Sequence, residues 1–339
     1  MTVEPTAALA SRLCLVTGAT GFTGARLCRR LVALGARVRA IARPTAVRTP
    51  LADLPIEWVD GEVFDARVVK TATEDVEFVF HLAAAYRTAG KPDEYYRQVH
   101  VLSTKVLAEH VASRSTFERF VHVSTVGVHG HIEKPPADEN APFDPGDIYQ
   151  ATKAEAEQWL HAFARERNLP YTVVRPCAIY GPGDRRLFKL FQMAARGVFV
   201  AIGSHDTLYH LIHVDDLVEV ICLAAVHPAA SGQAFIAGNR RALPLSELMT
   251  IIGDGLARRV RVLRVPLAPV WALATACEAL CRPFGVEPPL YRRRVAFYTK
   301  DRSFDTSKLR ERLGFTPRFT EEQGLRATAA WYLQEGWLR

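Results

Sequence analysis

The sequence predicts an α/β chain, a doubly wound parallel sheet joined to a smaller, mostly helical C-terminal domain. Three observations carry that expectation. Short, β-branched apolar runs alternate with helical patterns through the first half of the 339 residues, which is the order that right-handed βαβ crossovers require. A glycine-rich turn at 17–24 links the first apolar run to the first helical pattern. The alternation fades after Pro176, and helical patterns dominate from Pro244 onward.

Taken in order, the strand runs lie at 13–16, 38–42, 56–59, 76–80, 120–123 and 171–174. Their length and β-branching favour strands over buried helical segments. Beyond Pro176, 188–196 reads as a helix, 209–213 as a strand, 214–225 as a helix and 234–236 as a short strand, with closing helices at 306–313 and 321–333. The expected division is interleaved: 1–178 and 205–238 form the sheet domain, and 179–204 with 239–339 form the substrate-facing domain.

With 49% hydrophobic residues the chain can bury a large core. The net charge of +7 is dispersed apart from Arg292, Arg293 and Arg294, and no stretch interleaves basic with aromatic residues, so nucleic acid is not the expected partner. Six cysteines without clustered histidines argue for reduced thiols in the cytoplasm and against a metal site. Cys277 and Cys281 share a helix face but have no further ligand beside them. The most apolar segment, 265–280, holds Pro266, Pro269 and Glu278 and is shorter than the roughly 20 apolar residues of a span. No transmembrane helix is expected there; a peripheral membrane contact and an apolar lid over the substrate both stay open.

In the turn, Gly18 permits a tight bend, Gly21 removes a Cβ from the path of a pyrophosphate, and Gly24 lets the helix approach the strand. The helix N-terminus adds unpaired N–H groups and a positive dipole end, so a dinucleotide is the expected ligand. An acid at the end of the second strand would bind a ribose 2′-hydroxyl, whereas an arginine there accommodates a 2′-phosphate. The strand ends in Ala42-Arg43 with no acid, which favours NADP over NAD. Tyr149 and Lys153 stand four apart in a helical segment, one above the other, so that the ammonium favours the phenolate and makes an acid/base. Ser124-Thr125 closes the fifth strand, at the sheet edge where ligands bind in open α/β sheets.

These residues together make the chain similar to the extended short-chain dehydrogenase/reductases, also called NAD-dependent epimerase/dehydratases. The likeness rests on eight ordered segments: 17–24, 61–65, 81–84, 124–125, 149–153, 175–184, 213–216, and 305–308 with 313–317. It implies a Rossmann-type sheet with Tyr149 as acid/base, Lys153 on the nicotinamide ribose, and Thr125 holding the substrate oxygen. Thr125 takes that place when counted back from His129-Gly130, where relatives usually carry Tyr-Gly. The cofactor would further meet Gly18, Thr20, Gly21, Phe22, Thr23 and Gly24 at the turn. Glu62 and Val63 would flank the adenine, Leu82, Ala83 and Ala84 would pass beside the cofactor, and Pro176 with Ile179 would line the nicotinamide. Glu62 stands where Asp is usual, and His100 where Asn is usual.

Three readings are compatible with the resemblance. The first is a dehydrogenase or reductase acting on a hydrophobic secondary alcohol or ketone, in the manner of the 3β-hydroxysteroid dehydrogenase and dihydroflavonol reductase branch. The second is a nucleotide-sugar epimerase or dehydratase, against which stands Tyr209-His210 where such relatives usually place an arginine. The third is a non-catalytic cofactor sensor, against which stands the retention of Thr125, Tyr149 and Lys153. Proximity to the segments marks Tyr86, Arg87, His129, His131 and Tyr180 as specificity candidates. The likeness also implies a homodimer through the helices carrying His100 and Tyr149.

Overall fold

Strands that are apolar on both faces must be covered on both sides, and the fold is arranged around that requirement. In the computed structural model, which describes residues 5–86, 91–281, 288–289, 295 and 298–338, the sheet contains β1 (Leu13–Thr17), β2 (Arg37–Ala42), β3 (Ile56–Asp60), β4 (Phe78–His81), β5 (Arg119–Val123), β6 (Tyr171–Pro176) and the later strand Gln233–Ala237. Their order is β3, β2, β1, β4, β5, β6 and Gln233–Ala237, with every neighbouring pair parallel. Winding reverses between β1 and β4, which opens a crevice at their C-terminal ends.

Alternate residues feed two apolar layers. Cys14 and Val16 of β1 pack with Leu27 and Leu31 of α2 (Phe22–Ala33) and Ile221 of α8 (Val214–Val226). Leu13 and Leu15 face the opposite layer, with Val69 of α3 (Ala66–Ala72), Leu107 of α5 (Ser103–Val111) and Leu160 of α6 (Ile148–Arg167). The helix α4 (Asp93–Arg97) runs into α5 through one π-helical turn, Gln98–Leu102, with His100 at its centre. A third cluster joins Tyr180, Phe191, Phe199, Leu248, Met249 and Tyr332. Its elements are α7 (Phe188–Ala195), α9 (Leu245–Gly255), and the C-terminal helix Glu321–Gln334.

The structure refines the elements expected beyond Pro176. The run 209–213 is divided between Leu208–Tyr209, antiparallel to Leu243–Pro244, and Leu211–His213, parallel to Ala178–Tyr180. His210 is where the chain changes partners, because its side chain is turned inward onto Asn239 O at 2.8 Å. A further parallel ribbon pairs β8 (Val198–Ile202) with β13 (Arg261–Val265). Its second strand lies in the region expected to be helical; Arg-Val-Leu-Arg-Val carries no period-2 alternation, and its strand form comes from pairing with β8. The apolar segment that raised the lid and membrane readings forms α10 (Leu267–Cys281). Arg87 and Arg292 to Arg294 lie outside the described residues.

Candidate active site

The glycine turn after β1 is built as its residue types require. Gly18 has φ of +73°, and a Cβ there would stand 2.9 Å from Ala83 N; a Cβ on Gly24 would stand 2.1 Å from Gly18 O. Gly21 caps α2 without any side-chain hydrogen bond. The first-turn N–H groups therefore face the crevice as an anion cradle, and a dinucleotide pyrophosphate fits them.

The adjoining loop is held by a buried relay. Thr17 Oγ1 accepts from the N–H groups of Leu82 and Ala83, both at 3.2 Å, so its own hydrogen goes to His81 Nδ1 at 2.7 Å. His81 Nε2 must then carry the proton, and it reaches Ser103 and Thr104 oxygens at 3.1 Å. His100 completes the hold: its Nε2 accepts from Ala85 N at 3.0 Å and its Nδ1–H faces Thr152 Oγ1 at 2.7 Å. Both nitrogens are engaged and burial pushes the imidazole down to about 2, so a neutral His100 is held between the loop at 82–85 and α6.

The helix α6 starts at Asp147, whose carboxylate accepts from Gln150 N at 2.8 Å. Its four-residue stripe of Tyr149, Lys153, Glu157 and His161 faces the sheet. The Tyr149 ring meets His100 and Tyr86 edge-on, at centroid distances of 5.3 and 5.2 Å. Lys153 Nζ donates to Val123 O at 2.9 Å, and burial pushes the ammonium down to about 8 against the opposing pull of Glu157. Thr125 Oγ1 accepts from Gly127 N at 3.0 Å, which leaves its own hydrogen to give away. Ser124 is differently occupied, donating to Glu157 Oε2 at 2.6 Å. Arg175 grips the other Glu157 oxygen through Nε at 2.9 Å and Nη2 at 2.6 Å, and His161 stands 3.3 Å from it. Burial pushes the Glu157 carboxyl up, but His161, Arg175 and Ser124 together hold it down to about 2.

These elements enclose a cavity of about 430 Å³. Its cofactor side is lined by Gly18, Gly21, Phe22, Thr23, Gly24, Leu82, Ala84, Pro176 and Ile179, and its reactive wall by Thr125, Tyr149 and Lys153. Thr20, Arg43, Glu62, Val63 and Ala83 do not line it. Arg43 is exposed just past β2, with its guanidinium 3.5 Å from Tyr95 Oη. A bond from Gly61 N to Ala42 O brings the loop of Glu62 and Val63 beside it, so this group lies past the ends of β2 and β3.

Of the specificity candidates, Tyr86 lines the cavity while His129, His131 and Tyr180 do not. His129 is bonded to Arg175 at 3.1 Å, and Tyr180 is buried in the third core. The opposite wall holds Val126, Arg186, Leu187, Tyr209, Arg302 and Phe304; of these, sequence reasoning weighs Tyr209 and Val126 and misses Arg186, Leu187, Arg302 and Phe304. No residue of α10 lines it. Local spacing carries no signal for Arg302 and Phe304, which lie over 150 residues from Tyr149; Glu157 was legible as the next step of the Tyr149, Lys153 stripe.

Comparison with known proteins agrees with this geometry. The chain is 30% identical over 335 residues to a 3-beta-hydroxysteroid dehydrogenase of Mycolicibacterium neoaurum, covering 94% of this chain and 90% of that protein. It is 26% identical over 334 residues to a UDP-glucose 4-epimerase of Vibrio cholerae, covering 94% and 95%. Among solved structures, the crystal structure of gox2253 superposes with a TM-score of 0.81 at 28% identity, covering 96% of this chain and 99% of that one. The profile of the NAD dependent epimerase/dehydratase family matches residues 14–238, and the chain belongs to that family, as an NAD-dependent oxidoreductase of the extended short-chain dehydrogenase/reductase type.

Proposed function

We propose that the protein interconverts a secondary alcohol and a ketone on a hydrophobic, sterol-like or aromatic substrate, with NADP as the favoured cofactor. The observation that carries this reading is the make-up of the cavity, with two hydroxyls and a buried ammonium on one wall and Tyr86, Val126, Leu187, Tyr209 and Phe304 facing them, the guanidiniums of Arg186 and Arg302 lying over the Tyr86 and Tyr209 rings. His210 supports it. At the position where nucleotide-sugar relatives usually place an arginine, this ring is committed to Asn239 O at 2.8 Å and Phe304 N at 3.2 Å.

When bound, the nicotinamide supplies or accepts the hydride. Thr125 donates its free hydrogen to the substrate oxygen, and Tyr149 gives that oxygen a proton in reduction or removes one in oxidation. Lys153 favours the ionised tyrosine and carries its positive charge into a buried site. The cradle of Gly18, Thr20, Gly21, Phe22, Thr23 and Gly24 holds the pyrophosphate, Glu62 and Val63 flank the adenine, and Arg43 meets the 2′-phosphate. The interleaved division at 1–178 and 205–238 belongs to the same reading. So do a cytoplasmic location, which suits the buried thiols of Cys14, Cys28, Cys177 and Cys222, and a homodimer through α5 and α6, where Leu102 is exposed nearby.

The test is a titration with NADPH and NADH followed by a panel of apolar ketones, read at the nicotinamide absorbance. Net cofactor oxidation with an apolar ketone is expected, and Arg43→Ala should weaken NADPH by about tenfold or more while leaving NADH within a few fold. Equal losses for both cofactors would refute the 2′-phosphate contact. Turnover of a UDP-sugar with no net change in cofactor would replace the reading with an epimerase or dehydratase.

A further inference from the structure

Eleven large hydrophobic side chains are exposed among the described residues, and seven of them belong to one region. Register explains how they join. Val198 and Val200 of β8 stand opposite Arg261 and Leu263 of β13, and partners in a sheet point to the same face. Two residues further along, on that same face, Ile202 and Val265 pack against α10 through Ala274 and Val270. The helix thus covers one end of the ribbon's outer face and leaves Val198, Val200 and Leu263 open beside it.

What α10 turns outward is equally apolar. Only Ala274 of its 15 residues is buried, while Trp271 is 42%, Leu273 62% and Leu280 71% exposed. An apolar helix and an apolar strand face form one continuous surface. The helix is about 22 Å long at 1.5 Å per residue, and no helix among the described residues is long and apolar enough to cross a membrane.

The charges around this surface select its occupant. The segments 195–202 and 254–281, which take in the whole of α10, contain Arg196, Arg258, Arg259, Arg261 and Arg264 against two acids, Asp254 and Glu278. All five arginines are exposed, and Arg264 is paired with Asp206 at 3.3 Å. A second copy seated on this face by a two-fold axis would oppose the same cations to one another, which costs energy. A bilayer with anionic headgroups instead takes both features, accepting the tryptophan and leucines at the acyl boundary and the guanidiniums at the phosphates.

We propose that α10 and the outer face of the β8–β13 ribbon dock the protein peripherally on an anionic phospholipid surface. The proposal is independent of the reaction assigned to the cavity, because no residue of α10 lines it.

The test is co-sedimentation of the full chain with phosphatidylcholine vesicles, with and without about one-third phosphatidylserine. Binding to the anionic vesicles, weak binding to the neutral ones, and release at about 0.5 M salt are expected. Arg258→Gln and Arg261→Gln should each weaken partitioning by about fivefold. Trp271→Ser with Leu273→Ser should weaken it on the order of a hundredfold, with melting temperature and NADPH affinity preserved. Absence of binding to anionic vesicles, or equal binding by the Trp271→Ser, Leu273→Ser variant, overturns the proposal. So does a dimer in sedimentation equilibrium that Leu273→Ser dissociates, which would assign the face to a second copy.

Discussion

Ser124 and Thr125 carry the same functional group one bond apart and are used in opposite ways. Both residues line the cavity, but the Ser124 hydroxyl is turned onto Glu157, while Thr125 Oγ1 accepts from Gly127 N and keeps its own hydrogen to give. Spacing to His129-Gly130 was enough to favour Thr125 from the sequence, but nothing local to the pair shows what Ser124 does instead. On the proposed mechanism, Thr125→Val should lower kcat/KM by about 10²- to 10³-fold, the usual loss when one donor to a reacting oxygen is removed. Thr125→Ser should restore most of it. Ser124→Ala should leave kcat within a few fold and cost about 1–3 kcal/mol in chemical denaturation, because it strips a buried carboxylate of one partner. The reverse pattern would exchange the two roles.

At the scale of elements, α6 is fixed at its start and at its middle. Asp147 caps its start, and one helical turn beyond Lys153 the Glu157 carboxylate ties it to the ends of β5 and β6 through Ser124 and Arg175. The Arg175 side chain is 4% exposed and that of Glu157 not at all, so neither charge is relieved by water. Glu157→Gln should therefore destabilise the protein by about 3–5 kcal/mol, since it leaves a buried guanidinium uncompensated. Pairing Glu157→Leu with Arg175→Met should cost less than Glu157→Gln alone. A double variant no more stable than the single one would show that the pair is not coupled. The i, i+4 pattern that exposed Tyr149 and Lys153 extends to Glu157 and His161 in the sequence, yet their partners come from strands that only the sheet order brings near.

For the molecule as a whole, the density of buried imidazoles sets its response to acid. Burial holds His81, His100, His122, His129, His210 and His213 below the ordinary 6.5, with His213 at about 4, and both ring nitrogens of His122 are buried without a partner. Below pH 6.5 the unfolded chain binds protons that the folded rings refuse, so stability falls as the pH drops toward the folded values. Each ring contributes at most about 1.4 kcal/mol per pH unit, and the melting temperature should fall by on the order of 10 °C between about pH 7.5 and 5.5. A flat profile would mean that these rings are not neutral in the folded state. The sequence by itself determined the parallel sheet, the glycine cradle and the Tyr149, Lys153 pair, because each is written in short-range periodicity or in spacing within one element, and the likeness to relatives added Thr125 to the constellation. Only the tertiary structure decided what faces that constellation. Tyr209, Arg302 and Phe304 reach the cavity from positions 60 or more residues beyond Tyr149, and α10 is kept out of it by packing on a ribbon whose strands are 59 residues apart at Ile202 and Arg261. Contacts of that range depend on how the whole chain closes and leave no period in the sequence.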